Sequence, residues 1–248
     1  MSRKKYMLGN WKMNHGLEEI DNFLSDLDNP SSFNCFWGIA PQAIHILRMI
    51  KAKKRSPNLK VGSQNCSEND FGAFTGELAV QTLVEAGVDF TLVGHSERRS
   101  LYSESDELIN AKVIKAQSEN LLPVFCLGET LEERDSGKME NVLEGQLLSG
   151  LKNVDSKNIV IAYEPVWAIG TGKTATPEQA DEAHAFIRKV ITEKLDWDAN
   201  KISILYGGSV KPANVVELLG KENIDGALVG GASLTGASFS ALCKAASD

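Results

Sequence analysis

Eight short apolar runs recur along the chain, at residues 6–8, 36–40, 59–62, 90–93, 122–127, 159–163, 202–206 and 224–229. Each is rich in branched or aromatic residues and too short for a helix, so each reads as a strand covered on both faces. The intervening segments, among them 17–27, 43–54, 105–119, 139–151, 177–195 and 213–219, have helical character. In one of them Phe186, Val190 and Ile191 share an apolar face, with Arg188 and Lys189 on the other. Regular alternation of strand and helix demands a parallel sheet, because every parallel step needs a crossover. Eight such units in 248 residues match an α/β (β/α)8 barrel. With no linker, repeat or low-complexity stretch, residues 1–248 read as one domain.

The rival fold is an open, doubly wound sheet, and the polar residues at the strand ends separate the two. Asn10, Lys12, Gln64, Asn65, His95, Glu97, Glu129, Glu164, Gly207, Ser209, Gly230 and Gly231 all follow strand ends and are spread over most of the units. A barrel gathers those ends around one mouth, whereas an open sheet spreads them along a line with its site at one switch point.

The densest chemistry lies in residues 159–179. Glu164 ends the sixth run and is followed by Pro165, the apolar tip Val166, Trp167, Ala168 and Ile169, then Gly170, Thr171 and Gly172, which is the composition of a lid. Thr176, Pro177 and Gln179 supply a helix N-cap, a first-turn proline and the second half of a capping box. A carboxylate at the end of a parallel strand, under a loop that excludes water, suits a general base for carbon acids. Gly172, Lys173 and Thr174 resemble the end of a phosphate-binding P-loop, but Trp167 stands where its first glycine belongs. The spacing of Gly170, Gly172 and Ala175 fits a dinucleotide fingerprint, yet Glu164 and Pro165 separate it from the strand.

Other strand ends carry further candidates, each with a plainer alternative. Lys12 offers a fixed positive charge to an anionic substrate, or is a solvated surface lysine. His95 precedes Ser96 and Glu97, which are suited to opening a short helix. A helix N-terminus disfavours the imidazolium, leaving His95 as a neutral hydrogen-bond donor to a carbonyl, with Glu97 behind it facing Lys12. The glycine pairs in Tyr206–Ser209 and Val229–Ser233 let backbone N–H groups approach a phosphate, or form tight turns. The long loop at 64–77 exposes Phe71 and Phe74, either to dock on a partner or to pack on itself.

Composition narrows the partners. The net charge of −7 argues against a nucleic-acid surface, although local N–H groups still allow a small anion. Cys35, Cys66, Cys126 and Cys243 are scattered without metal or dithiol spacing, which fits a reducing cytoplasm. Arg3, Lys4 and Lys5 precede an apolar run too short for a signal-peptide core, and Gly9 and Asn10 are expected to end it. No stretch approaches the ~20 apolar residues of a membrane span.

The segments NWKMN, GAFTGE, GHSERR, CLGE, AYEPVWAIGTGK, YGGSV and VGGASL, in this order, resemble triosephosphate isomerases over nearly the whole chain. The resemblance implies interconversion of D-glyceraldehyde 3-phosphate and dihydroxyacetone phosphate through an enediolate, in glycolysis and gluconeogenesis, with no metal or organic cofactor. It implies that Glu164 is the proton acceptor, His95 the electrophile, and Asn10 and Lys12 substrate-binding groups. Gly170, Ser209, Gly230 and Gly231 would hold the phosphate. Thr75 would reach the neighbouring site in a homodimer. Two rivals stay open on the residues alone. A Schiff-base aldolase needs a desolvated lysine where the sixth strand has Glu164. A non-catalytic phosphate binder has no use for a base.

Overall fold

The computed structural model describes residues 3–28, 30–169 and 174–247. Strands β1 (Tyr6–Asn10), β2 (Phe36–Ala40), β3 (Lys60–Ser63), β4 (Phe90–Val93), β5 (Leu122–Leu127), β6 (Val160–Tyr163), β7 (Ser203–Tyr206) and β8 (Gly226–Val229) form a closed parallel barrel in sequence order. Closure is made where β1 pairs with β8, Leu8 opposite Leu228. The open-sheet alternative is thereby excluded.

Alternation along the strands explains why the runs read as continuously apolar. Leu8, Leu92, Val124, Cys126, Val160, Ala162, Leu205 and Leu228 fill the barrel interior, while their neighbours Met7, Phe125, Ile161 and Ile204 pack outward under the helices. Both faces are buried, so the strands show no polar face.

Two local readings are corrected. The first strand runs past the expected 6–8 to take in Gly9 and Asn10, Asn10 pairing with Ala40. Gly9 is there for space, since a Cβ would strike Ile39 and Ser233. The helix Gly236–Ala245 was not among the expected segments, because Gly236, Ala237, Ser238, Ser240 and Ala241 thin its apolar pattern. It docks through Phe239, Leu242 and Cys243.

The expected helix after the lid runs Pro177–Glu193, and Thr176 and Gln179 form the capping box. Its His184 is fully buried between the rings of Tyr163 (5.7 Å) and Tyr206 (6.4 Å), with Nδ1 3.2 Å from the carbonyl of Asn223. Burial pulls its pKa down to about 3; the Asn223 carbonyl opposes this, as does Asp225, while Arg188 adds to it. The unfolded chain therefore takes up a proton near the ordinary pKa of about 6.5 that the folded chain refuses. Stability from this group is complete above that value and is lost as pH falls from 6.5 toward 3, by about 1.4 kcal/mol per pH unit. His184→Asn should flatten the acid limb of urea-unfolding stability between pH 6 and 4; an unchanged slope would show that His184 does not titrate on unfolding.

Candidate active site

The carboxyl ends of the strands enclose a cavity of about 530 Å³, lined by Asn10, Lys12, His95, Glu164, Ile169, Ser209, Gly230 and Gly231. Its size suits a small ligand. A groove of about 580 Å³ beside the helix Ile46–Ala52 collects Arg48, Lys51, Lys54 and Arg55 but none of the strand-end groups. The reacting groups therefore converge at the barrel mouth.

Lys12 reaches the cavity from a backbone that L-residues rarely adopt, with φ of 51°. Two hydrogen bonds hold it there. Its N–H donates to Asn10 Oδ1 at 3.0 Å, and its carbonyl accepts from Gln64 Nε2 at 2.8 Å. The ammonium then lies 2.6 Å from Glu97 Oε1, the pairing expected from sequence.

Gly94, at φ of 76°, turns the chain out of β4 and into the short helix Ser96–Leu101. His95 is its N-cap, and Nδ1 accepts the Glu97 N–H at 3.2 Å. An accepting Nδ1 carries no proton, so the ring's proton is on Nε2. Nε2 faces Glu164 Oε1 at 3.2 Å, while Glu164 Oε2 accepts the Ser96 N–H at 2.8 Å. The side chains of His95 and Glu164 are 7% and 2% exposed, so little water competes for these bonds. The carboxylate is felt inside the barrel: burial first, then the Glu164 charge, pushes the Cys126 thiol well up.

Glycines around Glu164 are needed for space. A Cβ on Gly128 would collide with the Glu164 carbonyl oxygen, and one on Gly207 would sit 2.8 Å from Glu164 Cγ. At Gly208 it would strike the Tyr206 hydroxyl. For the pair after β7, expected either to admit a phosphate or to form a tight turn, packing already requires both glycines, and both also line the cavity. Gly230 and Gly231 differ. A Cβ on Gly231 would meet nothing within 4 Å and one on Gly230 only Lys12 Cε at 3.8 Å, so their open side faces the cavity. Gly128→Ala should lose about 3 kcal/mol of stability through overpacking, and the displaced carboxylate should lower kcat about a hundredfold. Guanidinium unfolding and a rate assay check both, and wild-type values in each would refute the crowding.

Glu129, expected at the mouth, has a different place. Fully buried, its Oε1 accepts from Tyr163 Oη at 3.0 Å, Trp167 Nε1 at 2.9 Å and Arg134 Nη1 at 2.9 Å. The Arg134 guanidinium also lies over the Trp167 ring at 5.1 Å. This anchors the turn Val166–Ala168 where the lid stretch begins. Sequence reasoning missed Arg134, whose signal was only its place in the helix Leu131–Asp135. Gly170, the expected phosphate contact, lies outside the described residues, as do Thr171, Gly172 and Lys173 of the lid. Thr75 is exposed on the long loop and does not line this chain's cavity.

The family model described as triosephosphate isomerase matches residues 5–246. Among curated proteins, the triosephosphate isomerase of Chloroherpeton thalassium is 45% identical, covering 98% of this chain and 99% of its own. Those of Clostridium botulinum (strain Langeland / NCTC 10281 / Type F) and Latilactobacillus sakei subsp. sakei (strain 23K) are each also 45% identical. The alignments cover 97% of this chain and 98% of the former, and 96% of both this chain and the latter.

Proposed function

The chain belongs to the triosephosphate isomerase family and interconverts D-glyceraldehyde 3-phosphate and dihydroxyacetone phosphate, and on that premise we propose that Glu164, His95 and Lys12 carry the reaction. Glu164 takes the proton from the carbon beside the substrate carbonyl and returns it to the neighbouring carbon. Lys12 and the Nε2–H of His95 stabilise the negative charge that develops on oxygen in the enediolate. A neutral imidazole at a helix N-terminus is an effect for which this enzyme family is itself the reference case. Here it rests on the Glu97 N–H donated to His95 Nδ1.

Both Glu164 oxygens are engaged, by Ser96 N–H and by His95. Proton abstraction therefore requires the carboxylate to turn from Ser96 toward the substrate. Ser96 and Glu97 act behind the reacting groups, one receiving Glu164 and the other holding Lys12. Asn10 and Lys12 bind the substrate, and backbone N–H groups of Ser209 after β7 and of Gly230 and Gly231 at the start of the turn Gly231–Ser233 receive its phosphate. Gly170 completes that set on the strength of the family resemblance.

The single observation that carries the assignment is the meeting of His95 Nε2 and Glu164 Oε1 at 3.2 Å in a cavity that Lys12 also lines. A coupled assay of dihydroxyacetone phosphate formation in the presence of a metal chelator tests it. Turnover undiminished by the chelator supports acid–base chemistry by these side chains, whereas chelator-sensitive turnover would assign the charge stabilisation elsewhere. A Schiff-base route predicts a borohydride-trapped adduct, which the present assignment does not.

The working unit proposed is a homodimer in which Thr75 of each copy reaches the other's site. Phe71 and Phe74 on that loop are 66% and 45% exposed, and Met13 beside Lys12 is 88% exposed. Apolar side chains left this open are suited to an interface. Sedimentation as a 27.0 kDa species at every concentration would sink the dimer. A cytoplasmic setting suits four free, buried cysteines, and the net charge of −7 supports a protein without a nucleic-acid partner. Recovery of nucleic acid with the protein at moderate salt, or of the protein outside the cytoplasm, would refute these placements. Among the described residues, no helix is long and apolar enough to cross a membrane.

A further inference from the structure

β5 outruns its neighbour on one side. Its last partner on β4 is Val93, opposite Phe125, and Gly94 then turns the chain away. On the other side the ladder continues past β6, where the Leu127 carbonyl accepts the Glu164 N–H at 2.7 Å and the Glu129 carbonyl accepts the Val166 N–H at 3.1 Å. Successive residues of a strand direct their N–H and C=O groups to opposite neighbours, so Cys126 and Gly128 face the side that β4 has left. Side chains take its place. Arg99 donates from Nη2 to the Cys126 carbonyl at 3.1 Å. At Gly128 the carboxamide of Gln146 does the work of a strand partner, Oε1 accepting the N–H at 2.9 Å and Nε2 donating to the C=O at 3.1 Å.

Gln146 belongs to the helix Met139–Gly150, whose Leu143, Leu147 and Gly150 are buried against the barrel. Standing three positions after Leu143 and four before Gly150, it shares their face, where an apolar side chain is the default. A Cβ on Gly150 would strike the Phe125 ring, so this helix is seated on the strand that Gln146 grips.

We propose that Gln146 is a positioning residue for proton transfer, a role that rests on the reading of Glu164 as the base. Its carboxamide fixes the Gly128 peptide, and the backbone of Glu164 is seated on that peptide. A Cβ on Gly128 would stand 1.7 Å from the Glu164 carbonyl oxygen, so the two peptides are in direct contact. Glu164 must turn from Ser96 to the substrate, and this contact sets where the turn begins. A primary amide donates and accepts in one plane, as a peptide does, whereas a thioether of the same length would leave both Gly128 groups bare. Gly128 is buried, and a buried peptide group without a partner shifts to find one, carrying the seat of Glu164 with it.

The test is a double-mutant cycle on the full chain, with kcat and KM from the coupled assay and Tm from circular dichroism for Gln146→Met, Glu164→Gln and the double variant. Gln146→Met should lower kcat about thirtyfold and leave KM within about twofold, because it misplaces the base without touching a substrate-binding group. Its Tm should fall by about 5 °C through the two bared peptide groups. In the Glu164→Gln background the same change should cost less than about threefold, since the group through which Gln146 acts is already gone. Wild-type kcat in folded Gln146→Met, or a loss that repeats in full in the double variant, would overturn the role. Wild-type kcat in Glu164→Gln would overturn Glu164 as the base and this role with it, so the two failures are distinguishable. If Gln146→Met folds too poorly to assay, Gln146→Glu, which keeps the volume and the acceptor for the Gly128 N–H but sets an oxygen against the Gly128 carbonyl, is read in the same cycle against the same outcomes.

Discussion

Glu164→Gln lowers kcat about a thousandfold while changing KM little, because a general base in position contributes roughly 10²–10⁴ in rate. Gln fills the same volume, and its carbonyl oxygen still meets the Ser96 N–H that Glu164 Oε2 accepts at 2.8 Å. The fold should hold, as circular dichroism and thermal melting would show. The loss is then chemical: the side chain can no longer carry a proton between adjacent carbons. A coupled assay giving a kcat within tenfold of wild type would remove Glu164 from that role.

Lys12→Met lowers kcat/KM about a thousandfold, the upper end of what removing one donor to a developing oxyanion costs. The deletion acts on both terms, since the ammonium attracts the phosphorylated substrate as well as stabilising the enediolate. Glu97 loses its partner at 2.6 Å, but its side chain is 44% exposed and water can solvate it. Stability should therefore change by less than about 1 kcal/mol, as for other exposed pairs. The assay is the same, with KM and kcat resolved separately. Loss of activity that follows unfolding would mean that Lys12 is structural.

Much of this was legible in the chain, for reasons that can be named. The eight runs are visible because barrel strands are buried on both faces, and Glu164 is conspicuous because nothing apolar at a strand end explains a carboxylate. The short helix opened by Ser96 and Glu97 and the box of Thr176 with Gln179 follow from local rules, and both occur. What stayed hidden depends on contacts between strands or across the sequence. Gly128 looks like any turn glycine until the Glu164 carbonyl is placed against it. Glu129 follows a strand end like the groups at the mouth, but its oxygen is taken up by Tyr163, Trp167 and Arg134, residues up to 38 positions away. The strained φ of Lys12 is set by Gln64 on the loop after β3, 52 residues away, which no local rule reaches.

The most direct test of Glu164 as proton acceptor is isomerisation of dihydroxyacetone phosphate in deuterium oxide, followed by NMR of product and remaining substrate. In the wild type, solvent deuterium should enter the carbon that receives the proton, because a carboxyl group that has taken a proton exchanges it before returning it. In Glu164→Gln, wash-in and isomerisation should fall together. Deuterium entering at the wild-type rate in the variant would contradict the account, because a group other than Glu164 would then be the base.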